Sequence, residues 1–277
     1  MILFAQLLGG LGNVLFIVSN LYSLSIDRDM DYCVTNYTQS CTKRKSESRW
    51  ISTMLKSVKK VQKRPRGVKV RYAERGMNHQ RIPNSKGKGM EVYGYWQSAK
   101  YFNHNKDKII DLFTEFKKEI QDKLDKLFDC KTKTISLHIR RGDYLKLQHA
   151  HVVQGLDYYE KALERLAKEL NYKSVEEMNK EYKVMVFSDD IKWCKTCDLF
   201  KSLKNVKYMA RNPPIEDMYL MSMCNHHIIA NSTFSWWGSY LNKNEDKKII
   251  APSMWFNPKY MSPEKWQDIY TDDMIVI

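Results

Sequence analysis

The chain alternates short apolar runs with amphipathic stretches. Residues 2–8 read as a buried strand, the glycine-rich 9–13 as a loop, and 14–25 as a helix. Residues 106–128 carry Ile109, Leu112, Phe113, Phe116, Ile120, Leu124 and Leu127 at helical spacing, so one long amphipathic helix is expected there. Strands are predicted over 134–139, 182–187, 206–209, 227–230 and, as the last one, 248–251. Helices are predicted over 157–170, 216–224 and 234–241. Between 35 and 89 the chain is polar, basic and poorly periodic, and long loops with a helix or two are expected. Strand and helix in alternation predict parallel sheets covered by helices, with polar motifs falling where ligands bind, beyond the carboxyl ends of strands. A boundary near Cys130 divides the chain into two α/β units.

Composition narrows the function classes. With 277 residues, 43% hydrophobic and 28% charged, the chain can bury a core without covalent staples. Its formal net charge of +14 favours an anionic partner: nucleic acid, a membrane surface or a phosphorylated small molecule. Much of that charge falls between Lys56 and Arg75, which reads either as a solvated face or as a place for peripheral membrane contact. Only Tyr72 interleaves with these basic residues, which argues against a nucleic-acid stacking platform. Six irregularly spaced cysteines do not form a disulfide framework. Cys194 and Cys197 are read as two free thiols, ahead of a zinc pair or a redox pair. No basic residue precedes the first apolar run and no stretch reaches membrane length, so a cytoplasmic protein without a transmembrane segment is expected.

Four motifs carry candidate chemistry. His138-Ile139-Arg140-Arg141-Gly142-Asp143 follows an apolar strand. Two adjacent guanidinium groups there are costly unless they meet a carboxylate or the oxygens of a phosphate. His138 is a candidate donor to a base or phosphate, and Asp143 either orients an arginine or accepts a hydroxyl proton. The segment Asn231-Ser232-Thr233-Phe234 opens a helix, where hydroxyl residues cap the end and backbone N–H groups suit an anion. Gly9-Gly10-Leu11-Gly12-Asn13 allows close backbone approach to a ligand, although its spacing is not that of a dinucleotide fingerprint. Ser188-Asp189-Asp190 ends a strand, placing carboxylates to meet ribose or guanine or to cap the next helix. Asp27-Arg28-Asp29 is a D-x-D, a pattern that can hold a divalent metal in glycosyltransferases.

Together these motifs resemble the family 11 glycosyltransferases, the α-1,2-fucosyltransferases. Gly9 to Asn13 with Leu15-Phe16 is similar to the family's G-G-L-G-N-Q-x-F. Tyr93 to Ser98 with Lys100-Tyr101-Phe102 resembles G-Y-W-Q-S-E-K-Y-F, and His138 to Tyr144 resembles H-x-R-R-G-D-Y. Tyr158-Tyr159, Phe187 to Asp190 with Trp193-Cys194, Asp217-Met218 and Asn231 to Trp237 follow in order. The H-x-R-R-x-D core is shared with α-1,6- and protein O-fucosyltransferases; the N-S-T-F-S-W-W segment points to the α-1,2 type. Val14 and Ala99 replace the family's usual Gln and Glu, and the lysine-rich stretch between Cys41 and Gly89 matches nothing in it.

The resemblance implies a GT-B architecture: two facing Rossmann-like domains with a donor cleft between them. Residues 1–130 would form the acceptor side and 131–277 the GDP-fucose-binding domain. It implies inverting, metal-independent transfer of fucose from GDP-β-L-fucose to a galactose 2-hydroxyl of a glycan acceptor, with no cofactor. Arg140 and Asp143 are the implied catalytic pair, with His149 and His151 as weaker candidates for the base. Gly12, Asn13, His138, Arg141, Ser188, Asp189, Asn231, Ser232, Thr233 and Phe234 are the implied donor-binding residues. Two readings stand against this one: a metal-dependent nucleotide-sugar transferase using Asp27 and Asp29, and a basic nucleic-acid-binding protein.

Overall fold

A computed structural model describes residues 1–35, 54–119, 121–128, 131–210 and 212–277. The described chain forms two compact units, Met1–Gln121 with Lys265–Thr271, and Asp122–Glu264 with Asp272–Ile277.

The first unit is built on a five-stranded parallel sheet in the order β3-β2-β1-β5-β4, formed by β1 (Ile2–Ala5), β2 (Asp31–Thr35), β3 (Lys60–Val61), β4 (Val68–Ala73) and β5 (Gly89–Tyr93). Helix α1 (Leu11–Arg28) crosses from β1 to β2, and its Val14, Leu15, Ile17, Val18 and Leu21 are fully buried. Asp29, in left-handed backbone, ends it. The helical apolar spacing over 14–25 marks this element, which the structure extends to Leu11 and Arg28 and buries on most faces. The expected long helix is described as α2 (Lys106–Glu119) and α3 (Gln121–Leu127), and Ile120 lies outside the described residues.

The basic stretch departs from expectation. Where loops and helices were predicted, the described part contains β3 and β4. In β4 the exposed Lys69, Arg71 and Ala73 alternate with the more buried Val68, Val70 and Tyr72. That is the period-two pattern of an edge strand whose outer positions are charged, a device that blocks edge-to-edge pairing. Basic residues hid the strand because they were read as solvation rather than as one face of a pleat.

The second unit carries a six-stranded parallel sheet in the order β11-β10-β9-β6-β7-β8. Its strands are β6 (Thr134–Ile139), β7 (Lys183–Ser188), β8 (Val206–Met209), β9 (His226–Ile228), β10 (Ile249–Ala251) and β11 (Met274–Val276). The strand at 248–251 is therefore not the last; β11 pairs with it in parallel. Helices α4 (Leu156–Glu169), α5 (Val175–Glu181), α6 (Ile191–Cys194), α7 (Asp198–Lys201), α8 (Pro214–Met223) and α9 (Thr233–Tyr240) connect the strands. Ile135, Leu137, Ile139, Val184 and Val186 from the sheet pack with Tyr159, Leu163 and Leu166 of α4 and Phe200 of α7.

Each sheet has one point where the strand order reverses. In the second unit the chain runs β6, β7, β8 to one edge, then returns to place β9 on the other side of β6. In the first it runs β1, β2, β3 and returns to place β5 beside β1. Loops leaving the two central strands diverge there and leave a crevice, so ligand sites are expected at β6/β9 and at β1/β5.

Candidate active site

The switch point of the second unit gathers most of the predicted residues. Strand β6 delivers His138, and the turn after it delivers Arg140, Arg141 and Asp143. Strand β7 ends on Ser188 and the turn after it delivers Asp189, while Asn231 and Ser232 follow β9 and Thr233 and Phe234 open α9. The β6 and β9 segments are bonded together across the reversal. His138 Nδ1 lies 2.8 Å from Ser235 Oγ, and Tyr144 donates its hydroxyl to the Asn231 carbonyl at 3.0 Å. His138 is buried and the Phe234 ring lies 5.5 Å from it. Burial, with Arg140 nearby as a second cause, holds its pKa down to about 3, so the ring is neutral at pH 7.

The two arginines are fixed by different partners. The Arg140 guanidinium is shared by two carboxylates, Asp143 Oδ1 at 2.5 Å and Asp189 Oδ2 at 2.9 Å, with the Tyr144 ring 5.3 Å away. Arg141 stacks 3.7 Å over the Trp193 ring and meets Asp190 Oδ2 at 3.3 Å. Its backbone N–H donates to Asp189 Oδ1 at 2.9 Å. Asp189 therefore holds one arginine by its charge and the turn by its second oxygen. Gly142 permits this: a Cβ built there would stand 2.4 Å from Asp189 Oδ2. The Asp143 side chain is 56% exposed, and pairs that face water contribute only ~0.2–1 kcal/mol. So many aligned charges for so little stability mark the cluster as one that orients guanidinium groups.

Ser188 Oγ accepts from the Asp190 N–H at 2.9 Å, and Asp190 caps α6 by accepting from Trp193 N at 3.2 Å. The first turn of α9 is ordered by Ser232, whose hydroxyl accepts from Phe234 N at 3.3 Å. Asn231 anchors the turn through its amide, which donates to the carbonyls of Val152 and Trp255 at 3.0 and 2.9 Å. Its buried Oδ1 has no hydrogen-bond partner among the described residues. A helix start beside two fixed guanidinium groups is an anion-binding arrangement.

Other predicted residues lie elsewhere. Gly12 and Asn13 begin α1 in the first unit, where Asn13 Oδ1 accepts from Gln97 Nε2 at 2.9 Å. His151 stacks on Tyr144 with ring centroids 4.2 Å apart and planes 11° apart; burial lowers its pKa. His149 packs edge-on near Tyr260. Asp27 of the D-x-D meets His104 and Asn105, and Asp29 is the end of α1. Among the described residues, no three His, Cys, Asp or Glu side chains gather as metal ligands. Cys33, Cys194, Cys197 and Cys224 are free thiols, while Cys41 and Cys130 lie outside the described residues. Burial pushes the Cys194 thiol up to about 11. No described helix is long and apolar enough to cross a membrane.

Two residues that stand in the motifs but outside the implied donor-binding set complete the arginine cluster. Trp193, named within the resemblance, supports the Arg141 guanidinium with its ring. Asp190 was grouped with Asp189, yet it serves the other arginine. An acidic residue two positions and an aromatic residue five positions past the end of β7 were the available signal.

Comparison with known proteins places the chain. The family model for glycosyl transferase family 11 matches residues 71–277. An alpha-1,2-colitosyltransferase of Escherichia coli is 33% identical over 96% of this chain and 98% of its own length. The O-antigen biosynthesis glycosyltransferase WbnK of the same species is 36% identical over 64% of this chain and 60% of its own. Among solved structures, the fucosyltransferase NodZ from Bradyrhizobium superposes with a TM-score of 0.55 over 86% of this chain and 92% of its own, at 14% identity. That likeness is one of fold, the GT-B-like arrangement of two parallel α/β sheets. The chain belongs to glycosyltransferase family 11.

Proposed function

Taking family 11 membership as the premise, we propose that the chain transfers L-fucose from GDP-β-L-fucose to the 2-hydroxyl of a galactose-terminated glycan, with inversion to an α-1,2-fucoside. The observation that carries this reading is the Arg140 guanidinium, shared by Asp143 and Asp189 and 5.3 Å from the ring of Tyr144, whose hydroxyl bonds the Asn231 carbonyl just before α9. As the glycosidic bond breaks, negative charge grows on the departing β-phosphate. Arg140, Arg141 and the first-turn N–H groups of α9 are the groups proposed to meet it, already oriented before the charge appears. His138 is proposed to contribute as a neutral hydrogen-bonding ring. Ser188, Asn231, Ser232, Thr233 and Phe234 are proposed to shape the donor site. Asp189 is proposed to act through the arginines it holds. Asp143 is proposed as the catalytic partner of Arg140, accepting the acceptor's proton as Arg140 turns to the phosphate.

A second donor is favoured by one observation, the near full-length relative that is an alpha-1,2-colitosyltransferase. Colitose is fucose without its 3-hydroxyl, so the two donors differ by one hydrogen-bonding group. A site built to bond that hydroxyl would reject the deoxy sugar strongly.

The test is the Arg140→Ala variant with GDP-fucose and methyl β-galactoside. The expected result is a fall in turnover of ~10²-fold or more and weakened GDP binding. Wild-type turnover in that variant would overturn the arginine assignment. GDP-colitose, run beside GDP-fucose on the wild-type protein, separates the two donors.

A further inference from the structure

The switch point of the first unit holds a feature that phosphate chemistry does not use. Loop 94–98 leaves β5 beside the glycine loop that leaves β1, and Gln97 Nε2 bonds Asn13 Oδ1 between them. This loop is locked in a costly shape. Trp96 has a φ of +57°, a left-handed backbone that bulky residues avoid, while its indole is fully buried. The ring is pinned between Tyr72, at 6.2 Å and nearly parallel, and Tyr101, edge-on at 5.3 Å. Gly94 has a φ of +159°, and a Cβ there would stand 2.4 Å from the Glu74 side chain. Glu74 in turn accepts the backbone N–H of Tyr95 at 2.7 Å and of Trp96 at 3.0 Å.

The result is that Tyr95 is turned outward. The residue is 43% exposed, although its backbone is tied down by a half-buried carboxylate. A single exposed tyrosine on a mobile surface needs no explanation. One whose own N–H and whose strained neighbour's N–H are both held by one carboxylate is a preorganised ring, and strain of this kind gathers at ligand sites. Tyr93 precedes it at the end of β5, with the Arg71 guanidinium 4.1 Å over its ring, and lies near enough to Tyr95 to help burial raise the Tyr95 pKa, so a second hydroxyl neighbours the exposed ring. A flat apolar face rimmed by polar groups suits a ligand that presents C–H bonds on one face and hydroxyls around its edge, which is a pyranose ring.

We propose that Tyr95 is a stacking platform for a neutral pyranoside of the acceptor glycan. The proposal rests on the sugar-transfer reading above for the identity of that pyranoside, while the stacking itself needs no donor. Tyr95 selects for sugar shape, and the hydroxyls of the ligand are met at its rim.

The experiment is saturation-transfer difference NMR on the full chain with methyl β-D-galactopyranoside and lactose as probes and no nucleotide present. Wild type, Tyr95→Phe and Tyr95→Ala are compared, each checked for folding by circular dichroism. Wild type and Tyr95→Phe are expected to saturate the probe's ring protons, and Tyr95→Ala to lose most of that signal. In turnover assays Tyr95→Ala is expected to raise the acceptor KM roughly ten-fold, with the donor KM unchanged. If Tyr95→Ala does not fold, Tyr95→Leu, which keeps bulk but no ring, is read in its place. Equal saturation with and without the ring, or no saturation in wild type, overturns the platform. Ring-dependent saturation in a protein that moves no sugar from GDP-fucose would keep the platform and overturn the donor reading instead.

Discussion

Asp189 uses both carboxylate oxygens on neighbouring arginines: Oδ2 meets Arg140 Nη1 at 2.9 Å and Oδ1 accepts the Arg141 backbone N–H at 2.9 Å. It lies 48 residues from Arg141 in the chain, and parallel pairing of β6 with β7 brings Ile139 opposite Ser188, so the two strand ends meet. Asp189→Ala frees Arg140 from its better-buried carboxylate and leaves the turn N–H without its acceptor. Turnover is expected to fall ~10²-fold, on the scale of a lost transition-state donor, while unfolding free energy drops by only about 1 kcal/mol. Steady-state kinetics beside urea unfolding checks both. A large loss of stability with turnover preserved would mean that Asp189 supports the fold and not the arginines.

Gly142→Ala tests the same geometry without removing any charge. The added methyl would fall 2.4 Å from Asp189 Oδ2, so the carboxylate must move. Turnover is expected to fall at least ten-fold, with kcat affected more than the donor KM. An unchanged kcat would show that Asp189 can shift without disturbing Arg140.

Legibility followed the directness of each signal. The H-x-R-R-x-D run and the N-S-T-F segment were readable because each sits just past an apolar strand, and a strand end beside a switch point is where a ligand site forms. That the two meet was not readable: the His138–Ser235 contact spans 97 residues and depends on β9 returning beside β6. Strand β4 was missed because its outer face is basic. Strand β11 was missed because Met274–Val276 is short and only partly buried. The return of residues 265–271 to the first unit had no pattern at all. It rests on single contacts such as Asp268 Oδ2 accepting the His79 N–H at 2.7 Å, together with the fully buried Trp266.

Stability should fall on mild acidification. Burial holds His138 and His227 down to about 3 and His226 to about 4, against ~6.5 in an unfolded chain. The unfolded state then binds more protons as pH drops below ~6.5, so these groups stabilise fully above that pH and lose their contribution as pH falls. Asp217 has the opposite sign. Burial raises it to about 7, so it stabilises at low pH and loses its contribution as pH rises from ~3.9 to about 7. Taking the two most buried histidines against Asp217 leaves a net of one proton, or ~1.4 kcal/mol per pH unit, with His226 adding to it. Urea unfolding between pH 7 and pH 5 is expected to show that decline, and Asp217→Asn a steeper one. Stability flat over this range would contradict the burial of the histidines.

Glu74→Ala should loosen loop 94–98. The substitution removes the acceptor of two backbone N–H groups, which costs ~1–3 kcal/mol where such groups stay buried. Hydrogen exchange at Tyr95 and Trp96 is expected to speed up, and acceptor KM to rise as it does in Tyr95→Ala. Unchanged exchange at both amides would show that the loop is held by the Trp96 indole alone.

The most direct test is to incubate the protein with GDP-fucose and methyl β-galactoside and to examine the product by NMR. The expected result is stoichiometric release of GDP and a new α-fucosyl signal correlated with galactose C2, reduced at least ~10²-fold in Arg140→Ala. Wild-type protein that releases no GDP from either GDP-fucose or GDP-colitose, or that places fucose on another carbon, would contradict the assignment.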